Sequence, residues 1–176
     1  RLRIALVGMP GSGKTTLFEA VSSTAPQRGE LSGTHRVYRE CTVQIGLDEA
    51  SVVDLPSIHS LHHLEGDDLS ALKYLLWGDE RPPVSVHERS GPPAPFAPPD
   101  LIISDMHMPN EGGLDFLRMV KGDSTLRAIP FVFLTSSVWG ESERAAAVSM
   151  GATRFIVRPI EPRALLVVIA ACLGER

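Results

Sequence analysis

The run Gly8-Met9-Pro10-Gly11-Ser12-Gly13-Lys14-Thr15 limits what this chain can become more than any other stretch of it. It fits Gly-x-x-x-x-Gly-Lys-[Ser/Thr]. It stands between an apolar run, Leu2 to Val7, and a helical pattern, Lys14 to Ser22, with Leu17, Phe18 and Val21 at helical spacing. Glycines let several backbone N–H groups turn toward one point, and the helix N-terminus that follows adds its positive dipole end. Such a loop is built to cradle phosphate. Gly8, Gly11, Ser12, Gly13 and Thr16 are expected to line the cradle, with Lys14 reaching the outer phosphates and Thr15 holding Mg²⁺.

The rest of the pattern continues the theme of strand then helix. Arg36 to Ile45 alternates loosely as a strand, Ser51 to Asp54 reads as a short strand ending in a carboxylate, and Asp67 to Trp77 reads as a helix. Between Pro82 and Pro99 lie seven of the fourteen prolines, which predicts an extended linker or surface loop. Beyond it, strands at Leu101–Ser104, Phe131–Leu134 and Phe155–Val157 alternate with helices at Gly113–Lys121, Glu141–Met150 and Pro162–Leu173. Apolar strands alternating with helices predict a three-layer α/β fold around a doubly wound, mostly parallel sheet. The chain divides on this reading into residues 1–81, a proline-rich linker or loop at 82–99, and residues 100–176.

Composition closes off several functional classes. In 176 residues, 17 Lys and Arg against 21 Asp and Glu leave a net charge of −4, which argues against a nucleic-acid surface. Hydrophobic content of 43% and charged content of 22% suit a globule rather than a disordered chain. The longest apolar stretch, Ala164 to Leu173, is far short of the roughly 20 residues of a membrane span. Two cysteines, Cys41 and Cys172, give no disulfide framework, and a cytoplasmic setting is expected. No signal peptide is visible. The start at Arg1 rather than Met is expected of a segment trimmed from something longer.

The first half resembles a known family at several points. Ile4 to Gly8 running into Ser12-Gly13-Lys14-Thr15-Thr16-Leu17-Phe18, then Val53-Asp54-Leu55-Pro56, Ser60-Leu61 and Glu80-Arg81-Pro82, resembles the G domain of the bacterial ferrous-iron transporter FeoB over residues 2–83. The resemblance implies a guanine nucleotide, GTP or GDP, with Mg²⁺, slow GTP hydrolysis, and Asp54 as the metal-side carboxylate. Ser57 stands where that family's Asp-x-x-Gly has glycine, Gly11 where its loop has asparagine, and no Asn-Lys-x-Asp follows to read the base.

The second half is similar to the latter part of a response-regulator receiver domain. Pro99 to Pro109 with Gly112 and Gly113, Pro130 to Ser136, Gly151-Ala152, and Phe155 to Pro159 match it in order and spacing over residues 99–174. The resemblance implies Asp105 as the phospho-accepting nucleophile, Thr135 as the switch hydroxyl, Arg158 in the place of the family's lysine, and a histidine kinase as partner. Asp105 would also touch the Mg²⁺. Receivers carry an acidic pair after their first strand; here that strand ends in the phosphate loop.

Each half lacks what the other supplies, and both families are doubly wound sheets whose first strand borders the second half. A splice at that seam predicts one continuous sheet, a hybrid of the phosphate-loop and flavodoxin-like folds. Its expected strand order is 2-3-1-4-5-6, with one strand before the linker antiparallel. Asp54 and Asp105 would then border one Mg²⁺–phosphate site above Lys14. His59, His62 and His63 read as a solvated loop, His107 as a surface residue, and Trp77 and Trp139 as packing residues. The apolar helix Ala164–Cys172 suits packing on the sheet, with a receiver-type homodimer face as its second reading and Cys172 as an inert buried thiol. Three functions compete: a Mg²⁺-dependent nucleotide-binding signalling protein with a receiver-like half, a phosphorelay receiver with a vestigial phosphate loop, and a silent interaction scaffold.

Overall fold

The computed structural model describes residues 2–7, 14–23, 27–31, 36–55, 98–105, 112–135 and 141–174. Its apolar runs become strands: β1 (Leu2–Val7), β4 (Asp48–Asp54), β5 (Leu101–Asp105), β6 (Phe131–Thr135) and β7 (Arg154–Val157) lie parallel and adjacent in the order β4-β1-β5-β6-β7. Every residue of β5 and β6 is buried, as expected of strands covered on both faces. On the far side of β4, β3 (Arg36–Ile45) returns antiparallel through the turn at Gly46-Leu47, and β2 (Gln27–Leu31) pairs antiparallel with β3. Gly46 has φ 61°, a left-handed conformation that glycine adopts without strain.

The six strands read from the sequence stand in the expected order, and β3 is the antiparallel one. The structure adds β2 at the edge and begins β4 at Asp48 rather than Ser51. The expected helix at 67–77, the proline-rich run up to 97, and the histidines and tryptophans discussed above lie outside the described residues.

Among the described residues four helices sit on the two faces: α1 (Lys14–Val21), α2 (Gly112–Gly122), α3 (Glu141–Ser149) and α4 (Pro162–Gly174). Strand alternation sends Ala5, Val7, Val53, Ile102, Phe131 and Phe133 to one side, where they pack with Phe116, Leu117 and Val120 of α2 and Ala147 of α3. Ile4, Leu6, Val52, Ile103, Leu134 and Ile156 go to the other, against Phe18 of α1 and Leu165, Ile169 and Cys172 of α4. Both cores therefore draw on residues from before and after the proline run. Cys172 is buried, as read, while Val167 on the opposite side of α4 is 69% exposed.

The seam itself is a pair of parallel neighbours, with Ile4 in register with Val52 on one side and Leu101 on the other. Asp100 fastens its lower end. Its backbone N–H donates to the Arg3 carbonyl at 2.8 Å, and its Oδ2 accepts the Arg3 N–H at 2.9 Å. At the end of α2, Lys121 donates through Nζ to the carbonyls of Arg127 and Ile129 at 3.1 and 3.0 Å, tying the following turn to the helix. Gly151, with φ 105°, lets this lysine pass: a Cβ there would lie 3.1 Å from Lys121 Cε.

Candidate functional site

Parallel strands put their carboxyl ends on one edge, and this edge collects the residues singled out above. β4 ends at Asp54, β1 at Val7, β5 at Asp105, β6 at Thr135 and β7 at Val157, immediately before Arg158. α1 starts at this edge and runs back across the sheet. Its Glu19 pairs with Arg39, which is level with Asp54, and its end bonds lower down, where Ser23 N–H donates to the Thr42 carbonyl at 2.7 Å. Lys14, Thr15 and Thr16 are thus the first residues of a helix opening above Asp54. Gly8, Gly11, Ser12 and Gly13 lie outside the described residues.

Asp105, Thr135 and Arg158 occupy three successive strand ends. Asp105 is in register with Leu134, one residue before Thr135, and Arg158 N–H donates to the Thr135 carbonyl at 2.7 Å. Asp105 and Thr135 are buried, Arg158 is half-buried, and its bond to Pro159 is cis. A carboxylate, a hydroxyl and a guanidinium on neighbouring strands are the groups a phosphoryl acceptor uses: a nucleophile, a hydrogen-bond donor and a cation.

Asp54 sits on the other side of β1. It is in register with Leu6, while Asp105 lies two residues beyond Leu6's partner Ile103. At ordinary strand spacing and rise the two Cα atoms are about 12 Å apart. That separation lets both carboxylates border one cleft, with phosphate oxygens and water completing any ion's shell between them. Hard carboxylate and hydroxyl oxygens suit Mg²⁺, which takes one or two carboxylates and fills its octahedron with phosphate and water. Among the described residues no group of three or more His, Cys, Asp or Glu is placed to hold a metal ion.

A cleft opens on the α1 side of Asp54, lined by Leu6, Phe18, Glu19, Arg39, Glu40, Cys41, Val52 and Asp54. Burial pushes the Cys41 thiol above its ordinary 9.0, against the opposing pull of its Ser22 hydrogen bond and the Arg39 charge. This thiol is a packing group rather than a nucleophile. Glu19 and Arg39 are the functional-looking residues that sequence reasoning missed. The one signal available was the antiparallel register, which sets Arg39 directly across from Asp54.

Comparison with known proteins follows the same division. Residues 2–89, half of the chain, match the family described as ferrous iron transport protein B, and residues 93–170 match the response regulator receiver domain. Chemotaxis protein CheY1 of Helicobacter pylori is 32% identical over 74 residues, covering 42% of this chain and 59% of CheY1. The G domain of T. maritima FeoB superposes with a TM-score of 0.62 at 18% identity, over 99% of this chain and 97% of that one. The phosphorylated cyanobacterial phytochrome response regulator RcpA gives 0.52 at 16% identity, over 97% and 91%. One sheet thus overlays a whole G domain and most of a whole receiver. The chain spans less than two thirds of the length of CheY1, and among the described residues no helix is long and apolar enough to cross a membrane. The chain belongs to the ferrous iron transport protein B family through residues 2–89, and its residues 93–170 match the response regulator receiver domain.

Proposed function

We propose that this chain is a cytoplasmic signalling protein that binds a purine nucleotide, GTP or GDP, with Mg²⁺ at the loop of residues 8–15, beside a receiver-like half centred on Asp105. One observation carries the reading. The start of α1, Asp54, Asp105, Thr135 and Arg158 share a single edge of a single sheet, where doubly wound folds bind ligands. The cytosolic domain of T. maritima FeoB, which shares this fold, has been crystallised in GMPPNP and GDP forms.

In this reading Lys14 neutralises the outer phosphates, and Thr15 and Asp54 hold the ion, Asp54 from the far side of the first strand. A bound Mg²⁺ supplies charge neutralisation for the phosphates. The remaining work falls to the chain. Backbone N–H groups of Gly8, Gly11, Ser12, Gly13 and Thr16 orient the phosphate oxygens. With no Asn-Lys-x-Asp to read guanine, base discrimination is weak. In the receiver-like half, an Asp105 oxygen attacks phosphorus of a phosphohistidine, the imidazole leaves with the bonding electron pair, and Thr135 and Arg158 hold the new phosphoryl oxygens. Arginine there is a wide fork rather than a point charge, so the phosphorylated form is held differently than by lysine.

Binding of a fluorescent GDP analogue tests the first half. The unaltered chain should bind in Mg²⁺, and Lys14→Ala should weaken binding about a hundredfold, the loss of a charge-assisted contact to phosphate. Acetyl phosphate with Mg²⁺, read by intact mass, tests the second: a phosphoryl adduct should form and vanish in Asp105→Asn. Binding without an adduct leaves a nucleotide-binding protein with a silent receiver half. An adduct without binding makes it a phosphorelay receiver, and silence in both assays makes it an interaction scaffold.

A further inference from the structure

We infer that Arg39, gripped by Glu19, is a positioning residue that sets how much Mg²⁺ the nucleotide site requires. The inference rests on the Mg²⁺–nucleotide reading above. Arg39 lies on β3 in direct register with Asp54 on β4, which puts the two Cβ atoms about 5 Å apart. Both line the same cleft on the α1 side of the sheet, and Arg39 forms an ion pair there with Glu19 of α1. One guanidinium is therefore paired with a carboxylate on the helix that follows the phosphate loop and set in register with the carboxylate proposed to hold the ion. Its planar fork carries five N–H donors and can serve both.

The consequence follows from charge alone. A fixed cation beside Asp54 competes with a divalent ion for the same carboxylate and repels it through space. Glu19 offsets that cation and draws its donors toward α1. Removing Arg39's charge should make Mg²⁺ easier to bind, and removing Glu19's charge should make it harder, because Arg39 is then left to Asp54. At low ionic strength, where the titration is run, each shift should be about fivefold, the size expected for a unit charge about 8 Å from a divalent ion in a water-like dielectric.

The test titrates Mg²⁺ into the full chain with a fluorescent GDP analogue and reads the concentration at half-saturation, with affinity in chelator measured alongside. Arg39→Gln should lower the Mg²⁺ midpoint about fivefold and Glu19→Gln should raise it about fivefold. Arg39→Lys, which keeps the charge and loses the fork, should stay within about twofold of the unaltered chain. Affinity in chelator should change little in all three. A merely structural pair predicts that both neutralising variants weaken binding together, and that outcome overturns the inference. Unshifted midpoints in folded variants overturn it as well while leaving the nucleotide reading intact. Should Arg39→Gln fail to fold, the upward shift in Glu19→Gln decides alone. An unaltered chain that binds no nucleotide in Mg²⁺ overturns the reading and the inference with it.

Discussion

The two sides of β1 solve the same structural problem with different materials. On the β5–β7 side the strands are parallel and helices cover both faces. The core there is aromatic: Phe131 lies between Phe116 and Phe133 at centroid distances of 5.7 and 5.0 Å, and Phe133 stacks on Phe155 at 6.1 Å. On the β2–β4 side the strands form a hairpin, Phe18 is the one large aromatic in the described core, and the Glu19–Arg39 ion pair flanks the cleft that Asp54 borders. Even so, neither side has a core to itself. Ala5, Val7, Val53 and Leu55 pack into the aromatic cluster, and Leu101, Ile103, Leu134 and Ile156 into the aliphatic one. Family ancestry divides this chain near residue 90; packing does not divide it there.

The largest effect that could break this comparison comes from the centre of the aromatic cluster. Phe131 is fully buried, so Phe131→Ala should cost about 3–5 kcal/mol through lost transfer energy and the cavity left behind. If the cores are shared, the hairpin side must lose stability in step. Hydrogen exchange at the amides of Val43 and Val52 should then accelerate to the same degree as at Ile103. Unchanged protection in β3 and β4 would mean that two bodies unfold separately.

A smaller effect should come from the seam. Asp100 accepts the Arg3 N–H and donates its own N–H to the Arg3 carbonyl, and only the first of these bonds uses its side chain. Asp100→Ala removes a charge-assisted hydrogen bond at the boundary of β1 and β5, worth about 1.5–3 kcal/mol. Urea unfolding should show one transition with a lower midpoint and an unchanged slope. A second transition in this variant would show that the seam alone holds two otherwise independent lobes.

How much of this was legible in the sequence depended on the environment of each strand. β5, β6 and the Ile4–Val7 part of β1 are buried on both faces and read as apolar runs, so their positions were recoverable from the chain, while the order of the sheet came from the two family resemblances. β2 is Gln-Arg-Gly-Glu-Leu, an edge strand with one large apolar residue, and it leaves no period-2 signal. β4 opens on the exposed Asp48 and Glu49, residue types that strands disfavour, and hairpin pairing holds them extended. Asp54, Asp105, Thr135 and Arg158 were legible because each ends a recognisable strand or follows one. The Glu19–Arg39 pair was not, because it joins a helix to an antiparallel strand with no motif spacing to mark it. Strand positions are written in apolar runs, while the charge balance of a cleft is written in register.

The smallest expected effect distinguishes the two sides by the sign of their response to alkali. On the hairpin side, burial raises the Cys41 thiol above 9.0. The unfolded chain then ionises first and holds fewer protons, so this group's contribution is complete below 9.0 and is lost as pH rises through the folded value. On the parallel side, burial lowers Lys121 below 10.5. Between its folded value and 10.5 the unfolded chain holds more protons, so this contribution rises with pH instead. Urea midpoints taken across the alkaline range should therefore fall less steeply in Cys41→Ala and more steeply in Lys121→Met than in the unaltered chain. Both shifts should be only a fraction of the Phe131→Ala effect, since each reports one titrating group. Slopes that change in the same direction in both variants would show that a charge elsewhere governs the alkaline response, and the contrast between the two sides would then stop at packing.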